Sequence, residues 1–182
     1  MALQKKINGT LVAGIVGEFS DASPKTGRAY ITYGKDETSL PEFGKFFSFT
    51  EVALSTGSSA KTTCAKQGVG TDTWSMGILV NPKEHFQIGF INKKTMAQSG
   101  ISATIATRGH IWVMANTKTV AGADVYADAD GNLGDKTLAS GVKVNGAKWL
   151  KSVALADGAT EVLSEISIDN PSLNGSEGPG SL

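Results

Sequence analysis

Apolar and polar residues alternate with a period of two through much of the second half of the chain. In HFQIGFI, Phe86, Ile88 and Phe90 share one face and His85, Gln87 and Gly89 the other. In GISATIAT, Ile101, Ala103 and Ile105 alternate with Ser102, Thr104 and Ala106, and Ile111 and Val113 alternate with His110, Trp112 and Met114. In AKWLKSVAL, Trp149, Val153 and Leu155 share a face with Lys151, and in TEVLSEISI, Val162, Ile166 and Ile168 lie opposite Glu161, Leu163 and Glu165. Successive side chains of a strand point to opposite faces, so each run predicts a half-buried β-strand. PEFGKFFSFTEVALSTG fits both the helical and the strand period, and a short helix is an alternative near Phe49–Leu54.

Turn signals separate the runs: Asn81-Pro82, Asn92-Lys93-Lys94, Arg108-Gly109, Ala121-Gly122, Asp130-Gly131, Asn145-Gly146 and Asp157-Gly158. Asp-Gly and Asn-Gly suit the left-handed angles of tight hairpins. Short strands with such turns predict an all-β fold, a small barrel or sandwich, with Phe86, Phe90, Ile105, Ile111, Val113, Val125 and Leu155 in its core. Three parts follow from the pattern: an extended N-terminal arm over 1–25, a β-rich body over 26–168, strand-like from Ala29 to Tyr33, and an irregular tail over 169–182. The tail, DNPSLNGSEGPGSL, is nearly devoid of apolar residues.

Composition narrows the function. With 182 residues the chain favours one domain, and a chain of this length buries about 70% of its unfolded surface on folding. Its 17 basic residues balance its 17 acidic ones, which argues against a nucleic-acid or anionic-membrane partner. Cys64 is the single cysteine, so no internal disulfide or cysteine zinc cluster forms. Lys5 and Lys6 precede the apolar stretch Leu11–Val16, but Gly9 and Gly14 break it and Glu18 follows. The N-terminus therefore reads as mature protein rather than a signal peptide. No run is long enough for a transmembrane helix, and the lone cysteine is consistent with synthesis in a reducing cytoplasm.

The segment DADGN has acidic spacing reminiscent of a calcium loop. With Asp128 at position one, Asp130 and Asn132 fall correctly, but Leu133 stands where the loop needs glycine and Ala139 where it needs glutamate. The segment also leaves a strand, DVYA, and reads as a hairpin turn. His85 and His110, the two histidines, fall on polar strand faces and lack metal-ligand spacing. GVGTDTWSMG lacks the lysine of a phosphate loop. No nucleophile elbow or catalytic constellation is present, and no cofactor or metal site emerges. Trp74, Trp112 and Trp149 belong to a core or a subunit interface, with a sugar-binding face as the alternative.

Four stretches in order resemble the structural cement (capsid decoration) proteins of tailed bacteriophages. They are GIVGEFSDASPK at 14–25, GILVNPKEH at 77–85, TRGHIWV with VAGADVYADADGNL over 107–133, and GAKWLKS at 146–152. The resemblance spans most of residues 1–165, while 34–72 match no part of the pattern and the residues after Ile168 are additional. It implies a non-enzymatic β-rich protein on the outer surface of the virion capsid, made in the host cytoplasm. It further implies contacts with the major capsid protein and with copies of itself, a homotrimer being favoured. The interface expected is the arm, through Lys5, Lys6, Ile7, Leu11, Val12, Ile15 and Phe19, with Val16 adding apolar area. Apolar side chains spread over a glycine-rich segment need a surface to lie against. The body itself is the alternative partner. Two other functions compete: a carbohydrate-binding β-domain of a phage tail or fibre, resting on exposed tryptophans, and a small hydrolase, resting on His110 and scattered acids.

Overall fold

The computed structural model describes residues 14–20, 24–36, 38–53, 59–70, 74–81 and 100–173, and these contain nine strands and no helix. The strands are β1 (Thr26–Tyr33), β2 (Phe46–Ala53), β3 (Lys61–Gln67), β4 (Trp74–Leu79), β5 (Ile101–Ala115), β6 (Asp124–Ala127), β7 (Leu133–Gly134), β8 (Val142–Trp149) and β9 (Val162–Leu173). All nine join one sheet in the order β1-β3-β2-β4-β5-β7-β6-β8-β9, with additional pairings of β5 to β1 and to β9. These pairings close two five-strand rings that share β5. Its 15 residues give about 50 Å of strand, enough for each ring to use one half. β1 pairs along Ile101–Arg108 and β9 along Arg108–Ala115.

Each ring encloses an apolar cluster drawn from all five of its strands. The smaller comprises Phe43, Phe47, Ala65, Leu79 and Ile105, with Tyr30, Phe49 and Ala103 packed against them. The larger includes Ile111, Val113, Val125, Leu133, Val144, Trp149, Ile166 and Leu173. A wall of β2, β4 and β5 separates them. Phe46, Ile78 and Ala106 join the larger cluster, while their chain neighbours Phe47, Leu79 and Ile105 join the smaller. Strands buried on both faces carry consecutive apolar residues rather than an alternation. That explains why FGKFFSF is ambiguous: of the two alternatives, helix or strand, the structure has the strand, with β2 running to Ala53.

Ile105, Ile111, Val113 and Val125 are fully buried as expected. Leu155 is not in the core. β8 ends at Trp149, and Leu155 lies half-buried in the following loop, where Thr119 and Val153 form one isolated bridge. Phe86 and Phe90 lie outside the described residues. Two expected turns fall within strands instead. Gly109 sits inside β5, where a Cβ would come 2.8 Å from the Phe19 ring, so its glycine serves a close approach. Gly146 has φ +72 and marks a register shift between Asn145 and Ala147 in β8, a bulge that only a left-handed residue accommodates easily. β9 runs past Ile168 to Leu173, with Pro171 and Leu173 buried.

Candidate functional site

The DADGN loop spends its carboxylate on itself. Asp128 Oδ1 accepts the backbone N–H of Asp130 and of Asn132, each at 2.9 Å, and Oδ2 accepts Asn132 Nδ2 at 2.8 Å. The turn then docks on the smaller ring. Val69 N donates to Asp128 O at 3.0 Å, Gln67 Nε2 to Asp130 O at 2.8 Å, Phe46 N to Gly131 O at 3.0 Å and buried Lys45 Nζ to Asn132 Oδ1 at 2.6 Å. Among the described residues no group of three or more His, Cys, Asp or Glu is placed to hold a metal ion. Replacing Asp128 with alanine strands three donors and is expected to cost about 2–4 kcal/mol. Chemical denaturation with and without calcium checks this, and a loss that appears only in calcium would return the loop to metal binding.

The described part of the arm lies along β5. Gly17 N donates to Trp112 O at 2.8 Å, Trp112 N to Glu18 O at 3.0 Å and Ser20 N to His110 O at 2.9 Å, and Phe19 stands opposite Ile111. Phe19 packs on the larger cluster, with Lys25 Nζ 4.9 Å from its ring centre. Ser20 Oγ donates to Glu165, which is nearly buried. Lys151 Nζ reaches Glu165 at 3.3 Å and lies 4.0 Å over the Trp112 ring. A cation over an indole face gains from the ring quadrupole, so Lys151 holds Trp112 and Glu165 together. Ile15 stays 51% exposed. Phe19 and Ile15, both expected at an interface, therefore differ: one is engaged by its own body, the other offered to solvent. Lys5, Lys6, Ile7, Leu11 and Val12 lie outside the described residues.

Among the described residues, the other exposed large apolar side chains are Ile31, Leu40, Val120 and Leu150. Trp112 and Trp149 are buried, so neither forms a sugar-stacking platform, and the side chain of Trp74 lies outside those described. Cys64 is buried and its thiol is pushed up by that burial, which disfavours the nucleophilic thiolate. On the exposed side of β6 and β8, Asp124 accepts from Lys143 Nζ at 2.8 Å and Lys148 Nζ at 2.6 Å. These hydrogen bonds, that from Lys143 first, hold its carboxyl below the usual carboxylate range. A folded-state pKa below the unfolded value of about 3.9 gives stability that is present above that pH and lost as pH falls through the folded value. Asp124→Asn is therefore expected to lower Tm at neutral pH, with the gap closing in acid. A gap that persists well below the carboxylate range would refute the assignment.

The family described as "Structural cement protein (E217 gp24/Pam3 gp6)" matches residues 3–168. The chain belongs to this family. No curated protein sequence matches it. In fold it is similar to a chain from "The capsid of Myoviridae Phage XM1", with a TM-score of 0.56, 15% identity, and coverage of 93% of this chain and 98% of that one. Membership makes this a phage structural protein. Sequence reasoning did not find the Ser20–Glu165–Lys151–Trp112 cluster. Its members come from four separate stretches, the arm, β5, the loop after β8 and β9, and Glu165 sits where alternation places a solvent-facing acid.

Proposed function

We propose that this cement-family protein decorates the outer surface of an assembled phage capsid and bridges neighbouring major capsid proteins without catalysing a reaction. The observation carrying this reading is the family match over nearly the whole chain. Neutral net charge, several exposed apolar side chains and an extended segment docked along β5 support it. The N-terminal arm, through Lys5, Lys6, Ile7, Leu11, Val12 and Ile15, supplies part of the contact with capsid or neighbouring copies, and the copies associate as trimers. Extended segments that order on binding cover large surfaces. Purified protein is expected to cosediment with expanded capsids, and deletion of residues 1–13 to reduce that occupancy or the oligomeric state measured by light scattering. A full-length protein that stays in the supernatant would refute decoration. Unchanged occupancy and oligomeric state after the deletion would refute only the role of the arm.

A further inference from the structure

We propose that Lys45 and Asn132 condense into an intramolecular isopeptide bond, with Glu161 carrying the protons. The reaction lies outside the decoration reading. It is one self-modification per molecule, needs no external substrate, and is tested on the protein alone.

Three distant stretches bring the groups together. Lys45 immediately precedes β2, Asn132 immediately precedes β7 and Glu161 immediately precedes β9. Lys45 Nζ lies 2.6 Å from Asn132 Oδ1 and 3.8 Å from Glu161 Oε1. A lysine placed only for an ion pair would make its shorter contact with the carboxylate, whereas here the amide is the closer group. Lys45 is 5% exposed, and its chain neighbour Phe46 and Asn132's neighbour Leu133 are buried in the larger cluster. Main-chain bonds fix the approach: Phe46 N donates to Gly131 O at 3.0 Å and Leu79 N to Lys45 O at 3.2 Å. The amide is oriented as well. Asn132 Nδ2 donates to Asp128 Oδ2 at 2.8 Å, which leaves Oδ1, the acceptor end, for the amine. Amine, carboxamide and carboxylate held in this way replace a bimolecular encounter with an intramolecular one.

The step balances without an oxidant or reductant. Glu161 takes a proton from Lys45 Nζ, and burial, which penalises an ammonium, favours the transfer. The neutral amine attacks Asn132 Cγ, and the Nζ–Cγ bond forms as the carbonyl π pair moves to Oδ1. That pair returns as the Cγ–Nδ2 bond breaks. Nζ sheds two protons in all. Both pass through Glu161 to Nδ2, which departs as ammonium, and Glu161 ends as the carboxylate it began as. The bond joins residues 87 apart in the chain. It ties β2 of the smaller ring to the turn between β6 and β7 of the larger, so the seam between the rings is closed covalently.

The test is intact mass and peptide mapping of the purified full-length protein, followed over days after synthesis. The expected product is one ammonia lighter than the sequence mass, and digestion yields a branched peptide joining Lys45 to Asn132. Lys45→Met and Glu161→Gln each keep the unreacted mass, apart from the substitution itself. Glu161→Gln alters a partly exposed side chain and so serves even where Lys45→Met does not fold. Loss of a general acid–base is expected to slow the bond about a hundredfold or more. A folded wild-type protein that keeps its full mass overturns the proposal. So does an ammonia loss that maps to a succinimide at Asn145-Gly146 with Lys45 and Asn132 unlinked. Bond formation at the wild-type rate in Glu161→Gln overturns the proton transfer assigned to Glu161.

Discussion

Trp149→Ala is expected to lower the unfolding free energy by about 3–5 kcal/mol, a large part of the 5–15 kcal/mol typical of a domain. The side chain is fully buried and is among the largest in the core. It lies at the end of β8, paired with Ile166 of β9, within the cluster that fills the larger ring. Its Nε1 donates to Gly134 O at 3.3 Å, so truncation also leaves that carbonyl without its indole partner. Closely packed interiors relax only partly around a void of this size. Trp149→Phe retains much of the apolar area and is expected to cost less. Guanidinium denaturation of both variants gives the comparison. A loss under about 1 kcal/mol for the alanine variant would mean that the ring does not enclose this residue.

Gly68→Ala is expected to destabilise by about 2 kcal/mol or more, through the seam between the rings. Gly68 has φ +99, and a Cβ there would overlap the carbonyl oxygen of Ala129 in the DADGN turn. The left-handed backbone alone costs an L-residue about 1–2 kcal/mol, and the overlap falls on main chain that is itself tied down. Gly68 N donates to Phe46 O at 2.9 Å and Ser48 Oγ to Gly68 O at 2.6 Å, so the glycine cannot withdraw without breaking these bonds. The expected signature is a lowered Tm together with faster amide exchange across 128–132. A wild-type Tm would show that the turn does not rest on Gly68.

The alternation at 101–105, at 111–113 and at 162–168 is legible because Ile105, Ile111, Val113, Ile166 and Ile168 each face a core, although Ala106 and Trp112 on the opposite face of β5 are buried as well. Ala121-Gly122, Asp130-Gly131 and Asp157-Gly158 mark real turns for a local reason: Gly122, Gly131 and Gly158 all take positive φ. The order and spacing of four short stretches likewise carried the family. Periodicity records which face of a strand is buried, but not which strand lies beside it, since pairing register is a long-range property. Hence the sequence alone did not reveal that β5 serves two rings, or that FF, IL and IA in β2, β4 and β5 are doublets dividing two cores. The same local signal, an Asn-Gly or Arg-Gly pair, marks a turn, a bulge or a close approach depending on what packs against it, as Gly146 and Gly109 show. Glu165 reads as a surface charge until Ser20 and Lys151 are brought to it, and Lys45 is buried only because Asn132 and Glu161 reach it from distant parts of the chain. Burial of a charge requires partners, and only the tertiary structure supplies partners that are 87 or 145 residues away.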